Sequence, residues 1–485
     1  MSAQPAPAPP ESSRGPRRWI ALVVVCLAQL MNALDSTIVN VALPAIQRDL
    51  HFTQANLTWV VNAYLIAFGS FLLMAGRLGD LIGRRRVFLA GILLFTASSA
   101  LCALAPDQAL LIAARFLQGL GAALSSSVIV AIIVTDFPEP LERARAMSTY
   151  IFVAVGGGSV GLVVGGALTQ ATSWHWIFLI NLPIGLAAFL LGRALIAENE
   201  GIGLRQGVDV AGSVLVTAAV MVGIYAIVGV SDQGWVSART LGLGGLAVVL
   251  LAAFFALQAR LANPIMPLHL LRLRSLVVSS AVRSLVVPGM FASFFLGALY
   301  LEHVLGYDPR LTGLAFLPQT LAIAGLSAGV TARIVERIGP RWTLVAGLAV
   351  MFTGLQLLSR TGAGSGYFPG LFVAFALLGL GGGMAFMPLL MLAMADVPRR
   401  DAGLASGMVN VSMQLSAAVG LAALGTIAAE RTRTLLAGGL SPRASLAGGY
   451  DLAFTIASGC VAAGLLVALL LLRRSARLHV VAVEL

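Results

Sequence analysis

Windows of about 20 residues with almost no charge recur along nearly the whole chain, and that is the length a helix needs to cross the hydrocarbon core of a bilayer. Fourteen are read, at 19–44, 57–76, 86–105, 109–135, 146–170, 175–196, 209–230, 240–260, 275–302, 311–332, 342–360, 368–395, 403–429 and 451–472. A backbone in lipid must satisfy its own hydrogen bonds, and a helix does so segment by segment. A membrane barrel would alternate apolar and polar residues in stretches of about ten, which these continuous runs do not. With 59% hydrophobic and only 11% charged residues, against about 25% charged in an average soluble chain, a soluble fold is excluded. The expected fold class is an all-α integral membrane protein.

The formal charge of +11 raises the question of a nucleic-acid partner, and the placement of the basic residues answers it. All 31 are Arg. With the N-terminus in the cytoplasm, 22 fall on inward segments; Arg48, Arg239, Arg310, Arg360, Arg431, Arg433 and Arg443 fall outward, and Arg115 and Arg283 lie inside spans. This is the positive-inside bias of a multi-pass protein with both termini cytoplasmic, and it accounts for the charge without nucleic acid. The run after Arg17 and Arg18 is too long for a signal peptide, contains Asp35 and lacks a small-residue cleavage site, so it reads as a retained first helix. Cys26, Cys102 and Cys460 sit within spans at no metal-like spacing, so neither a disulfide framework nor a metal or other cofactor is expected.

The loop Gly76-Arg-Leu-Gly79-Asp80-Leu-Ile-Gly83-Arg84-Arg85-Arg86 has a weaker echo at Ala332-Arg333-Ile-Val-Glu336-Arg337-Ile-Gly339-Pro340-Arg341. Aligning Gly83 with Gly339 also aligns Asp80 with Glu336 and Arg77 with Arg333. Each copy lies between the second and third spans of a six-span set. The expected division is therefore a cytoplasmic tail 1–18, a six-helix bundle 19–200, two inserted helices with linkers 201–274, a second six-helix bundle 275–475 and a cytoplasmic tail 476–485. Repeated halves around a midplane site are the usual construction of a secondary carrier.

Five runs in order give the chain a specific resemblance: Leu34-Asp35-Ser-Thr-Ile-Val-Asn40-Val-Ala-Leu-Pro44, the loop at 76–86, Arg115-Phe-Leu-Gln118-Gly119-Leu-Gly121, Trp174-His175-Trp176-Ile-Phe-Leu-Ile-Asn181-Leu-Pro183-Ile-Gly185, and Gly403-Leu-Ala-Ser-Gly407-Met-Val-Asn410. The chain resembles the major facilitator superfamily, and within it the fourteen-helix drug:proton antiporters. The resemblance implies two six-helix bundles plus two additional helices, a bacterial cytoplasmic membrane location and proton-coupled efflux.

An acid at membrane depth costs about 2.5–3.5 kcal/mol on insertion scales, so Asp35 calls for a function. It is the candidate to load and release a proton, and the resemblance also points to it for coupling or cation recognition; a lasting pairing with a neighbouring helix is the alternative. Arg115 stays charged and must face protein or water, as a modulator of that proton site or as a clamp on backbone carbonyls. The resemblance links the family's corresponding Arg to proton transfer. Gln29, Asn32, Ser36 and Asn40 share one helical face that suits a cavity lining, and Gln118 stands one turn from Arg115. Gln29, Asn32 and Gln118 are thus candidate substrate contacts.

In the first loop Gly76, Gly79 and Gly83 permit a tight turn and close helix approach. Asp80 and Arg84, four apart, form a candidate gate latch. Arg85 and Arg86 read better as topology anchors. Gly157, Gly161 and Gly165 give the fifth helix a small-residue packing face, the antiporter-motif helix of the resemblance, with Leu162 standing where that pattern has Pro. His175, where the pattern has Arg, reads as an interfacial anchor. Met384, Met387 and Met391, with Met394, form a thioether stripe suited to varied apolar ligands or to ordinary packing. Arg283 is expected to snorkel to the interface.

The expected function is secondary active, proton-coupled efflux of hydrophobic or cationic drugs by alternating access, with an uncoupled facilitator or importer as the alternative. The expected partners are a small-molecule substrate, protons and membrane lipid, and the protein is expected to be a monomer. No clustered nucleophile, base or metal set suggests an enzyme, and the chain has neither a Gly-x-x-x-x-Gly-Lys loop nor any Lys to hold ATP.

Overall fold

A computed structural model describes residues 15–198, 201, 209–261, 264–266, 268–398 and 402–472. Among them the regular structure is entirely helical. The tail 476–485 and most of 1–18 lie outside the described residues.

The first set of helices is α1 (Gly15–Asp49), α2 (Thr58–Ile82), α3 (Arg84–Ala103), α4 (Gln108–Asp136), α5 (Pro140–Ala171), α6 (Trp176–Leu179) and α7 (Asn181–Leu195). A hairpin of α8 (Val210–Gln233) and α9 (Ala238–Gln258) follows. The second set is α10 (Arg274–His303), α11 (Pro309–Ala315), α12 (Leu317–Gly325), α13 (Thr331–Ile338), α14 (Pro340–Leu358), α15 (Phe372–Met394), α16 (Ala402–Ala437) and α17 (Pro442–Leu471). Among the described residues, 12 helices are long and apolar enough to cross a membrane.

The helix ends follow local chemistry. Side chains of Asp107, Asp209, Ser237, Asp308 and Ser441 accept from backbone N–H groups in the first turns of α4, α8, α9, α11 and α17. Pro140, Pro309, Pro340 and Pro442 sit in first turns, where no N–H partner is lost. The sequence reading places one continuous span at 311–332; the structure breaks this stretch into α11, α12, a wide π turn at Leu326–Val330 and α13. Gly329, at φ 109, lies within that turn, a conformation Gly reaches without steric cost. The loop repeat has a structural counterpart as well. Gly83 ends α2 at φ 106 and Gly339 ends α13 at φ 84, each with the next helix starting one residue later.

In the first set α1 packs on α5 and α7, and α4 packs on α2 and α3. In the second, α14 packs on α15 and α17, while α10 packs on α16 and α17. The two sets meet through α2 with α16, α1 with α10, and α5 with α11 and α12, and α8 rests on both α2 and α16. Burial is uneven from one end of the bundle to the other. At the end away from the Arg-rich loop, one continuous core runs through both sets, from Val39, Leu43, Phe52 and Leu162 to Leu299, Phe316 and Tyr450. At the end bearing that loop the core divides. One cluster, with Val24, Phe88, Ile129 and Phe137, belongs to the first set. The other, with Leu276, Ala393 and Met408, belongs to the second and touches only Leu73 of α2. In this sense of shared or separate apolar packing the bundle is sealed at one end and parted at the other.

Candidate functional site

Four polar side chains from three helices, α1, α4 and α7, converge inside the first set. Asp35 and Arg115 form an ion pair at 2.5 Å, Oδ2 to Nη1, with side-chain exposures of 0% and 1%. Gln118 sits one helical turn after Arg115, so both reach the same carboxylate: its Nε2 donates to Asp35 Oδ1 at 2.8 Å while its Oε1 accepts from Arg115 Nη1 at 2.6 Å. Asn181 Nδ2 approaches Asp35 Oδ1 at 3.5 Å from α7. Arg115 Nε donates to the Val60 carbonyl of α2 at 2.9 Å, and its guanidinium lies 4.6 Å from the Tyr64 ring centroid and 5.8 Å from that of Phe178. Gln118 Nε2 also donates to Ser99 Oγ of α3 at 2.8 Å.

A lone charge at this depth would be costly, and each charge here neutralises the other. The arrangement therefore sets one carboxylate against one cation that never discharges. In this conformation Asp35 and Gln118 are enclosed by protein and do not line an open cavity. Sequence reasoning missed Asn181, Tyr64, Ser99 and the Val60 carbonyl as members of the network. A lone amide inside the apolar run around Asn181 was the available signal.

The other residues on the polar face of α1 find partners within the first set. Gln29 Oε1 accepts from Tyr150 of α5 at 3.2 Å, and Asn32 Nδ2 donates to Ser126 of α4 at 2.8 Å. Asn32 Oδ1 is buried without a partner. At the loop, Asp80 and Arg84 lie 3.4 Å apart, and Arg84 also donates to Thr135 Oγ1 at 2.9 Å near the C-terminus of α4, a favourable place for a cation. Gly79 lies where a Cβ would run into Val128, whereas Gly76 has room. Arg85 and Arg86 reach Glu198 at 3.5 and 3.2 Å, and Arg85 also donates to the Arg193 carbonyl, closing the end of α7.

Gly157, Gly161 and Gly165 all face α1: a Cβ at Gly161 would come within 3.0 Å of the Leu34 carbonyl, and one at Gly165 within 3.0 Å of the Ile38 carbonyl. The opposite face of α5 meets the second set, where Gly166 abuts Pro309 and Arg310, and Gly313 abuts the buried Leu162. His175 stacks on Trp174 at 3.8 Å, and Trp174 donates to Asp49 at 2.8 Å.

The Met stripe is dispersed. Met384 packs beside Gly347 of α14, and Met387 is 42% exposed. The side of α15 turned toward α10 carries Gly382 and Phe386 instead, beside Met290. Among the described residues no group of three His, Cys, Asp or Glu side chains is placed to hold a metal. Two concavities lie apart from the ion pair, an apolar groove lined by Trp19, Val23 and Leu30, and a cleft at the sealed end lined by Arg48, Asp49 and His175.

The sequence and the fold were compared with known proteins. The chain is 38% identical to the puromycin resistance protein of Streptomyces alboniger, covering 95% of this chain and 92% of that one. It is 35% identical to a cephamycin export protein of Amycolatopsis lactamdurans, covering 85% of each, and 33% identical to the tetracenomycin C resistance and export protein of Streptomyces glaucescens, covering 87% and 78%. Among solved structures, a peptide transporter of the POT family superposes with a TM-score of 0.66 at 17% identity, covering 93% of this chain and 97% of that one. A bacterial homologue of the lysosomal transporter Spinster, inward-facing and unoccupied, superposes with a TM-score of 0.67 at 15% identity, covering 95% and 99%. The family model described as Major Facilitator Superfamily matches residues 25–421, and with it the chain belongs to that superfamily of membrane transporters.

Proposed function

We propose that the protein exports antibiotic-like small molecules across a bacterial cytoplasmic membrane by alternating access, driven by protons that load and unload Asp35. The observation that carries the reading is the buried pair of Asp35 and Arg115, a single ionisable switch enclosed in one half of a two-halved transporter. The relatives named for puromycin resistance and for cephamycin and tetracenomycin C export support the direction of transport and the kind of cargo. In this reading the parted end faces the cytoplasm with both termini, as the Arg distribution supports. The membrane is crossed fourteen times, with α5 and the broken stretch α11–α13 completing the 12 longer spans.

The bundles comprise residues 19–200 and 275–475, the hairpin within 201–274 is an addition to them, and one chain is the working unit. Protonation of Asp35 removes half of the pair and frees Arg115 and Gln118 to regroup, biasing the bundle toward its other state. Asp80 and Arg84 latch the loop during rocking, Gln29 and Asn32 meet solute on its way past the first half, and Gln118 does so once the pair has regrouped. Leu162, in place of the Pro of the resembling antiporters, favours a second reading in which transport leaks without proton flow.

Everted membrane vesicles separate the two. An acid-inside gradient drives protons out and substrate in for the wild type, while Asp35→Asn abolishes accumulation. Gradient-driven accumulation by the Asn variant sinks the coupling assignment.

A further inference from the structure

Arg283 does not snorkel. It sits nine residues into α10, is only 5% exposed, and points inward toward α15 and α16 rather than outward to an interface. Its Nη1 touches the Met413 thioether at 3.7 Å and its guanidinium lies 6.0 Å from the centroid of Phe386. Among the described residues none of the six ion pairs found includes it. A thioether is a weak acceptor and a ring at that distance a modest one, so a cation with five N–H donors is left almost unanswered.

The contrast with Arg115 is direct. Arg115 carries a carboxylate, an amide, a carbonyl and two ring faces, and is electrically balanced. Arg283 carries a full uncompensated charge. Retaining it at membrane depth is explained by a partner that is present only part of the time. Along α10, Arg283 falls between Leu276, which belongs to the separate core of the second half, and Val286 and Val287, which belong to the shared core. Met290, two turns along α10, lies with Phe386 against Gly382 of α15, so the surroundings on this side are apolar.

We infer that Arg283 is the recognition point for an anionic group, a carboxylate or phenolate, on an amphipathic aromatic solute whose apolar body rests on Phe386, Met290 and Met413. This rests on the export reading only in supposing that solute enters between the halves. It also specifies that reading. The carboxylate of Asp35 is already neutralised, so the open charge offered to cargo is positive, and an anion is preferred over a cation.

Two xanthene dyes of opposite charge, fluorescein and rhodamine 6G, test it by fluorescence polarisation on the purified full-length protein in detergent. Wild type is expected to bind fluorescein more tightly, and Arg283→Gln to weaken fluorescein about tenfold or more while leaving rhodamine 6G unchanged or improved. Arg283→Lys is expected to retain most of the fluorescein affinity. On the wild type alone, salicylate is expected to displace fluorescein at concentrations where salicylamide does not. The inference is overturned by unchanged fluorescein affinity in Arg283→Gln, by a wild type that binds no fluorescein or favours the cationic dye, or by equal competition from the carboxamide. Short-chain phosphatidylglycerol displacing the dye where salicylate fails assigns the charge to a lipid headgroup and overturns the solute assignment. Binding in detergent needs no gradient, so this result and vesicle uptake stand or fall separately.

Discussion

Removing either member of the buried pair should cost far more stability than removing both. Asp35 and Arg115 are 0% and 1% exposed and lie 2.5 Å apart, so Asp35→Asn leaves a guanidinium sealed in protein with no counter-charge. Orphaning one partner of a buried pair costs about 3–5 kcal/mol, whereas replacing both with neutral groups of similar shape is often near neutral. Here the neutral pair keeps much of its hydrogen bonding, because Gln118 can turn its amide to either role and the Val60 carbonyl still accepts. Arg115→Gln should be the milder single change, because Asp35 can shed its charge by taking a proton and a guanidinium cannot. Thermal melting in detergent, followed by tryptophan fluorescence, should rank wild type highest, then Asp35→Asn/Arg115→Gln, then Arg115→Gln, then Asp35→Asn. The double variant should nevertheless fail to accumulate substrate, since no proton site remains. If the double variant melts at or below the sum of the two single losses, the pair is not the coupled unit described here.

Other positions give independent checks. Gly161→Leu should wedge α1 from α5, since even a Cβ would sit 3.0 Å from the Leu34 carbonyl; a loss of about 1–3 kcal/mol and of vesicle uptake is expected, and wild-type melting would refute the packing. Gly83→Ala and Gly339→Ala place a side chain at φ 106 and φ 84, and each should cost about 1–3 kcal/mol in melting experiments; a cost at only one of them would break the equivalence of the two loops. Glu302 is buried, its Oε1 has no partner, and its nearest cation, Arg48, is 3.9 Å away and 66% exposed, so Glu302→Gln should raise the melting temperature. A drop would reveal a role for the charge itself.

The long apolar runs made the helical class legible, because a bilayer leaves so few ways to satisfy a backbone. The loop repeat was equally legible: Gly83 and Gly339 take the same backbone role in the two sets. Partners were harder to read. Asp35 and Arg115 stood out as costly residues, but their pairing spans 80 positions of sequence and depends on how α1 and α4 cross. Asn181 could be noticed as a lone amide in an apolar run, but a single amide carries no periodicity to say what it faces. The Met stripe on α15 was open to two readings for a related reason. Spacing identifies a face but not what it faces, and the face bearing Met384 turns to α14 while Phe386 turns to α10. Arg283 was placed near an interface by its position in the run; the inward direction of its side chain is a tertiary fact.

The geometry around α5 suggests how a proton event and a seal can be joined without a long relay. Leu34 and Thr37 flank Asp35 on α1, and both press on Gly161. The next residue of α5, Leu162, turns its carbonyl to Gly313 of α11, at the contact that closes the sealed end between the two sets. One helix thickness therefore separates the ion pair from the contact that, in the export reading, opens for release on the far side. With Gly at 157, 161 and 165, α5 has no side chains there to absorb a shift of α1, so a small movement of α1 is passed on to α11 as displacement. Bulk at 161 or 165 and loss of the pair should then produce the same phenotype by different routes: a transporter that still binds solute in detergent but no longer exchanges its open end. A Gly161→Leu variant that loses binding as well would show that α5 shapes the solute site rather than linking the switch to the seal.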